Sequence, residues 1–485
     1  MTATTALRRW PETSRERLSA SLWDAQSIAA ATGGTASARF AVAGVEIDSR
    51  DVRAGDLFVA LRGEAMDGHD FMEAAFAKGA AAALVDRPVP YPHVLVADTG
   101  AALRQLAAAA RARGNAKVVG VTGSVGKTGV KEAIFAALDR SSRGAAHRSV
   151  RSYNNHVGVP LSLARMPARS RFGVFEMGMN NAGEIDALTR QVRPHVAVIT
   201  TVAPAHIENL GSIEAIADAK AEILAGLEPG GTAVIPADSP QYGQLRAAAE
   251  ARGATIIAFG RAASADMRLI DTIPAANGGS LVTVQFGEGR LVYSVAEPGE
   301  HWVMNSLAVM AAVHAAGGDL NAAGLALAEM GGLKGRGARH RIAAPGGKAL
   351  VIDESYNANP ASMRATLAQL GQTPAGRRIA VLGSMKELGD FADGFHAALL
   401  EPVLAADLDL VVLVGPEMQA LARELRNNAR QAILGKPEFT HCAGPDEATA
   451  QLRDYGLVGG DAVLIKGSNS LRLNAVVDEL IHRDA

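Results

Sequence analysis

The stretch KVVGVTGSVGKTGVKEAIFAAL, Lys117 to Leu138, decides the fold. The apolar run KVVGVTG reads as a strand, and TGSVGKT, Thr122 to Thr128, as a Gly-rich turn. Val130, Ile134 and Leu138 then recur at helical spacing. Strand, tight turn and helix together make an anion cradle, because backbone N–H groups converge on the anion and the helix adds its positive dipole end. In such a loop Gly123, Ser124, Val125 and Gly126 present the backbone. Lys127 reaches the β/γ phosphates of a nucleotide, and the Thr128 hydroxyl ligates Mg²⁺. The usual spacing asks for a glycine five residues before Gly126, where Val121 stands. Gly123 therefore opens the turn, with Gly120 one place early. A purely structural turn is the alternative, and the Gly-Lys-Thr between strand and helix weighs against it.

Outward from this loop the chain alternates. RFGVFEMG, HVAVITTV, GTAVIPAD and ATIIAFG are strand candidates separated by helical segments, and LVTVQFG and LVYSV follow as antiparallel strands. Such alternation implies βαβ units and a mostly parallel sheet with helices on both faces. Beyond Gly346, KALVIDESY, RRIAVLGS, DLVVLVG and DAVLIKGS repeat the alternation, each ending near Gly, Ser or Asp. Ligands of open α/β sheets gather at those carboxyl ends. Before the loop, ARFAVAGVEIDSR, GDLFVALRG, AAAALVDRP and HVLVAD read as short strands. AALRQLAAAARARG, Ala101 to Gly114, reads as a closing helix stopped at Gly114. The expected organisation is α/β in three domains: a small N-terminal α/β domain (1–115), a central P-loop-type domain (116–342) and a C-terminal Rossmann-like domain (343–485). At about 150 residues per domain, 485 residues suit that number.

The totals exclude several classes. With 48% hydrophobic and 20% charged residues the chain is ordinary for a soluble globular protein, and a net charge of -2 gives no field for nucleic acid or an anionic membrane. The one cysteine, Cys442, reads as a small buried thiol and suits a reducing cytoplasm. MTATTALRRWPETSRERLS at the N-terminus has no apolar core of a signal peptide, and no run approaches the ~18 apolar residues of a spanning helix.

A phosphate loop also fits kinases, GTPases and motor-like ATPases, although the N-K-x-D guanine motif of a GTPase is absent. Three further residues narrow the choice. Glu176 ends the strand FGVFEMG, where a second ligand for the nucleotide's Mg²⁺ belongs. His206 follows HVAVITTVAPA; a lone His there is a capping or core residue as readily as a ligand. In SIEAIADAKAEILAGL, capped at Ser212, Lys220 shares the helix face of Ile213, Ile216, Ala217, Leu224 and Leu227. A lysine there snorkels, pairs or loses its charge. Desolvation favours the neutral amine, which can take up CO2 and become an anionic carbamate.

The ensemble resembles the Mur ligase family along nearly the whole chain. TGSVGKT is similar to its T-G-[ST]-x-G-K-T loop, and YNNHVGVP (Tyr153–Pro160) to its N-N-x-x-G-x-P segment. AHIENLGSIEAIADAKAEI (Ala205–Ile223) is similar to the segment with a metal histidine and a carbamylated lysine. EMGMNNAGEI (Glu176–Ile185), DESYNANP (Asp353–Pro360) and GSMKELGD (Gly383–Asp390) have the form of the branch that adds D-Ala-D-Ala, and KGSNSLRL completes the set. DSRDVRAGDLFVALRG with DGHDF resembles a uridine-nucleotide-binding domain.

The resemblance implies an ATP-dependent ligase of cytoplasmic peptidoglycan precursor synthesis, taking UDP-MurNAc-tripeptide and D-Ala-D-Ala as small-molecule substrates and using Mg²⁺. It implies a monomer that binds no nucleic acid and inserts in no membrane. It assigns phosphate and Mg²⁺ to Lys127 and Thr128, the first metal to Glu176, and the second to His206 and carbamylated Lys220. Asn154 and Asn155 would line the catalytic cleft; Asp353, Tyr356, Asn357 and Asn359 would hold the nucleotide; Ser49 and Arg50 would bind the UDP part. The family's H-N-x-x-N appears as HWVMN, with Trp302 for the first Asn and Asn305 kept. In KGRGARHR both Arg336 and Arg339 are open to the nucleotide-contacting role, and Glu354 stands where Asp is common. The diamino-acid-adding branch carries D-N-P-R in its third domain, a string missing here, and the first domain argues against a folylpolyglutamate-type ligase. A P-loop switch or scaffold would leave Glu176, His206 and Lys220 unexplained.

Overall fold

A computed structural model describes residues 21–64, 66–275, 278–431 and 437–482. The signal-peptide reading of the first 19 residues falls outside them. The chain forms two compact units, one of residues 1–118 with 139–175, the other of 119–138 with 176–485.

The first unit is built on a five-stranded sheet ordered Thr35–Ala36, His93–Leu95, Ala82–Val85, Asp56–Val59, Gly44–Glu46. The last four run parallel and Thr35–Ala36 is an antiparallel edge. Their inward residues Val45, Leu57, Leu84 and Val94 form one core with Leu103 and Leu106 of helix Thr99–Ala112 and Leu161 of helix Gly158–Ala164. The long helix ends one residue before Arg113, not at Gly114. A Cβ at Gly114 would lie 2.8 Å from the Ala168 carbonyl oxygen, so this glycine serves a close approach rather than a left-handed cap. Arg165 crosses the unit: its Nε donates to the Val45 carbonyl at 2.6 Å, and its Nη2 meets Glu46 Oε2 at 2.7 Å with both side chains buried.

In the second unit Lys117–Thr122 pairs in parallel with Val196–Ile199, followed by Thr232–Pro236, Thr255–Gly260 and Met267–Pro274. Ser280–Phe286 and Gly289–Val295 then add antiparallel, as expected for LVTVQFG and LVYSV. A six-stranded sheet follows, ordered Ala338–Ala344, Gly347–Glu354, Ala462–Lys466, Arg378–Gly383, Leu410–Val414, Glu438–Cys442. All its pairs are parallel except the first hairpin. The polar strands Ala338–Ala344 and Glu438–Cys442 lie at its two edges and were not among the expected strands. Cys442 is buried, and burial raises its thiol pKa.

The helix carrying Lys220 is shorter than its periodicity suggests. It runs Ile213–Ala221 and tightens into a 3-10 turn over Glu222–Gly226. Glu222 is drawn aside to accept from the Gly183 and Asp186 N–H groups at 2.6 and 3.1 Å, at the start of helix Glu184–Val192. Gly226 then passes so close to the Thr189 carbonyl that no Cβ fits. Among the described residues no helix is long and apolar enough to cross a membrane.

Removing one partner of a buried ion pair leaves the other charge desolvated, so Arg165→Ala is expected to lower stability by about 3–5 kcal/mol in urea unfolding. Replacing Arg165 and Glu46 together by Met and Leu should recover most of that loss. A single substitution that leaves the unfolding curve unchanged would contradict the pairing.

Candidate active site

The phosphate loop is held by its neighbours. Gly123 has φ +145° and packs so tightly on Thr200 that a Cβ there would collide with its hydroxyl. Gly126 has φ +86°, and a Cβ there would lie 2.9 Å from Asn305 Oδ1. Both glycines serve the turn, whereas Gly120 makes room in the sheet for Met177 Cε. The turn is stapled to the chain leaving Val196–Ile199. The Ser124 N–H donates to the Thr201 carbonyl (2.9 Å), Ser124 Oγ to the Ala203 carbonyl (2.8 Å) and Thr200 Oγ1 to the Val125 carbonyl (2.5 Å). Lys127 Nζ arches back to the Gly123 carbonyl at 2.7 Å.

Helix Lys127–Ser141 starts directly after the turn and sets Thr128 inward. Its Oγ1 donates to Glu176 Oε2 at 2.8 Å, and both residues are buried. The hydroxyl and the strand-end carboxylate therefore form one oxygen pair beside the loop. Lys220 is buried on its helix, as its position among apolar residues requires. Burial above all, then the charge of Lys127, pushes its ammonium well below the usual lysine range, against a smaller opposing effect of Glu222. Burial also lowers Lys127, with Glu176 opposing it and Arg336 adding to it. His206 stands at the start of the turn Ile207–Leu210 in a left-handed conformation, its Nδ1 2.5 Å from Glu387 Oε2.

The residues after 330 reach the same loop. Asn359 caps helix Pro360–Gln372 in a capping box with Ser362, and its Nδ2 is 3.4 Å from the Ser124 carbonyl oxygen. Asp353 is fully engaged: Oδ2 accepts from the Gly335 N–H (2.7 Å), and Oδ1 accepts from the Ser355 hydroxyl (2.6 Å) and N–H (3.1 Å). It thereby orders the KGRG turn and sets Arg336 over the Tyr356 ring at 4.0 Å. The Asn357 carbonyl accepts from buried Lys466 at 3.0 Å. The two arginines separate: Arg336 acts on Lys127 and Lys466, while Arg339 faces Glu297. Burial pushes Glu297 up to about 7, opposed by Arg339 and reinforced by Glu354. Trp302 is a buried packing residue; a Cβ at Gly129 would meet its ring at 2.7 Å.

Ser49, Arg50, Asn154 and Asn155 belong to the first unit. Arg50 Nε bonds Asp48 Oδ1 at 2.9 Å, and Asp51 meets Arg151 at 3.0 Å, which brings the 48–51 turn to the segment before Asn154. Asn155 Oδ1 accepts from the Val157 and Gly158 N–H groups and starts the next helix. Sequence reasoning passed over Thr200, Glu297, Glu387 and Lys466. The last two lay inside the quoted segments GSMKELGD and KGSNSLRL, and Thr200 carried no signal beyond its strand-end position.

The Mur ligase middle domain matches residues 121–313, the Mur ligase glutamate ligase domain 339–469, and the Mur ligase family catalytic domain 41–120. The chain belongs to the Mur ligase family. UDP-N-acetylmuramoyl-tripeptide–D-alanyl-D-alanine ligase of Bacillus subtilis is 34% identical over 445 residues, 90% of this chain and 93% of that one. Its counterpart from Synechocystis is 36% identical over 447 residues, 90% and 91%. Among solved structures, MurF from Acinetobacter baumannii aligns with TM-score 0.79 and 30% identity over 95% of this Mur ligase and 99% of that chain. MurF from Thermotoga maritima in complex with ADP aligns with TM-score 0.73 and 26% identity over 91% and 98%.

No group of three or more His, Cys, Asp or Glu that could alone hold a metal occurs among the described residues. The Thr128–Glu176 oxygens fit Mg²⁺ in another way. This ion is commonly held by one or two protein oxygens together with substrate phosphates and water. Gly123→Ala is expected to weaken binding of a non-hydrolysable ATP analogue by at least about 10-fold, because the loop must open to admit the methyl group. Calorimetric titration checks it, and an unchanged Kd would sink the loop geometry described here.

Proposed function

We propose that this Mur ligase joins D-alanyl-D-alanine to UDP-N-acetylmuramoyl-tripeptide at the expense of ATP. The reading is carried by the buried Thr128–Glu176 pair at the phosphate loop, in a chain 34–36% identical over 90% of its length to ligases named for that reaction. Residues 1–115 would hold the UDP-sugar, 116–342 the ATP, and 343–485 would close on the nucleotide and receive the dipeptide. Ser49 and Arg50 are assigned to the UDP part, Asn154 and Asn155 to the catalytic cleft. The ordered turn under Asp353 and the stacked Arg336–Tyr356 pair favour Arg336 over Arg339 as the arginine at the nucleotide.

A carboxylate does not react with an amine at neutral pH, because its delocalised negative charge makes the carbonyl carbon a poor electrophile. The tripeptide carboxylate oxygen therefore attacks the γ-phosphorus of ATP, the bond to the β-phosphate oxygen breaks, and an acyl phosphate and ADP form. The loop N–H groups and Lys127 hold the phosphates and stabilise the charge that spreads over the transferring group, mainly by positioning and electrostatics. Thr128 and Glu176 would hold Mg²⁺, with His206 and Lys220 at a second position, and the ion would supply charge neutralisation there. Lys220 suits that role as a carbamate: its neutral amine takes up CO2, loses a proton and becomes an anionic oxygen ligand. The dipeptide amine then attacks the acyl carbon, the C–N bond forms, inorganic phosphate leaves, and the amine's proton passes to solvent. Excluding water from the acyl phosphate protects it from hydrolysis.

Phosphate release is expected only when ATP, Mg²⁺, UDP-MurNAc-tripeptide and D-Ala-D-Ala are all present. Running the assay with the lysine and the diaminopimelate tripeptide identifies the acceptor, and no release with either would overturn the assignment. Lys220→Ala should lose about 10²-fold or more in turnover. Short carboxylic acids should partly restore it, and full activity in that variant would remove the carbamate.

A further inference from the structure

Glu387 is not among the residues assigned above, yet it makes the shortest contact of His206. Its Oε2 lies 2.5 Å from His206 Nδ1, an approach oblique enough that Nδ1 has no well-aligned hydrogen bond. Both residues have positive φ, 59° at His206 and 64° at Glu387, without being glycine. Such a conformation is disfavoured for a residue with a Cβ and persists where the surroundings enforce it. The surroundings here are specific. The two residues before Glu387 are anchored: the Met385 N–H donates to His396 Nε2 at 2.9 Å, and the Lys386 N–H to Ser468 Oγ at 3.0 Å. The Lys386 ammonium pairs with Glu417. On the facing side the Glu208 N–H approaches the Glu387 carbonyl at 3.4 Å, and Gly389 packs on Glu208 so closely that a Cβ would lie 3.0 Å from its Cγ. Lys127 also acts on the Glu387 carboxylate, which places it within electrostatic reach of the phosphate loop.

We propose that Glu387 is a positioning residue for His206: its carboxylate faces Nδ1 to accept a hydrogen bond from Nδ1–H, which leaves Nε2 as the nitrogen with a free lone pair for a metal. Metal-ligating histidines are oriented in this way by a carboxylate or carbonyl on the other ring nitrogen, which fixes the tautomer. The carboxylate comes from the sheet that follows residue 338, and the histidine from the sheet that bears the phosphate loop. The second metal position is therefore complete only when those two parts are docked. The inference rests on the metal role given to His206 above.

The test uses the full chain with Mn²⁺ and a non-hydrolysable ATP analogue. Mn²⁺ affinity is measured by electron paramagnetic resonance, and imidazole ligation by the nitrogen modulation of the electron spin echo. Wild-type enzyme should show imidazole modulation, and His206→Ala should abolish it. Glu387→Ala should weaken Mn²⁺ at that position by about 10–100-fold and attenuate the modulation. Glu387→Gln keeps an acceptor oxygen and should recover part of both. If His206→Ala changes neither signal, or wild type shows no modulation, the metal role of His206 fails and the inference falls with it. If His206→Ala abolishes the modulation while both Glu387 variants match wild type in affinity and modulation, the inference alone is overturned.

Discussion

Two lysines with lowered proton affinity, close enough for one to act on the other, set the terms for the second unit. Desolvation holds Lys127 and Lys220 below the usual lysine range, and the charge of Lys127 lowers Lys220 further. A protein interior tolerates such a pair poorly, since removing an ammonium from water costs several kcal/mol after relaxation. Glu176 relieves Lys127 in part, and Glu222 relieves Lys220 in part. In the reaction proposed for this chain, anions would lower the tension that remains: phosphates at Lys127, and a carbamate at Lys220. Such an arrangement would stabilise the transferring phosphoryl group without rearranging when it arrives, which is the larger part of what a phosphoryl-transfer site contributes.

The geometry that sustains this tension is distributed. Gly123 and Gly126 hold the turn only because Thr200 and Asn305 occupy the space their side chains would need. Thr200 belongs to the neighbouring strand's carboxyl end and Asn305 to a helix over a hundred residues later. The later sheet contributes through individual contacts at the loop. Asn359 reaches the Ser124 carbonyl, Arg336 acts on Lys127, and Glu387 meets His206. Asp353 is the organiser of that side. Its carboxylate accepts from Gly335 and Ser355 and so orders the turn that carries Arg336.

Much of this was legible in the sequence where local signals agreed. Strand, Gly-rich turn and helix at 117–138 fell together because apolar runs, glycines and helical spacing all pointed one way. The parallel strands with near-continuous apolar runs, such as 196–199 and 410–414, were equally plain, since a strand buried on both faces needs apolar residues at every position. The edge strands Ala338–Ala344 and Glu438–Cys442 were not: mostly half-buried and broken by polar residues such as Arg339, His340, Arg341, Thr440 and His441, they lack the apolar run of an inner strand. The end of the Lys220 helix was hidden for another reason. Its periodicity continues to Leu227, but Glu222 is claimed by a helix start some forty residues earlier, a tertiary demand no local pattern contains. Glu387 escaped likewise, because nothing in GSMKELGD says that its carboxylate faces a histidine 181 positions away.

The departure at Trp302 can be read the same way. An indole in place of a small amide needs space, and the structure supplies it at one point: Gly129, one position after Thr128, where any Cβ would press on the ring. Trp302 is buried, and Asn305, one turn further on the same helix, still lies against Gly126. The helix Glu300–Ala315 thus braces the phosphate-loop helix with an aromatic contact and presents its amide to the loop itself. Large apolar area at Trp302 stabilises the docking of the two helices. The polar contact at Asn305 keeps its place because that docking fixes it. Trp302 thus serves packing on this helix, and Asn305 is the residue that faces the loop.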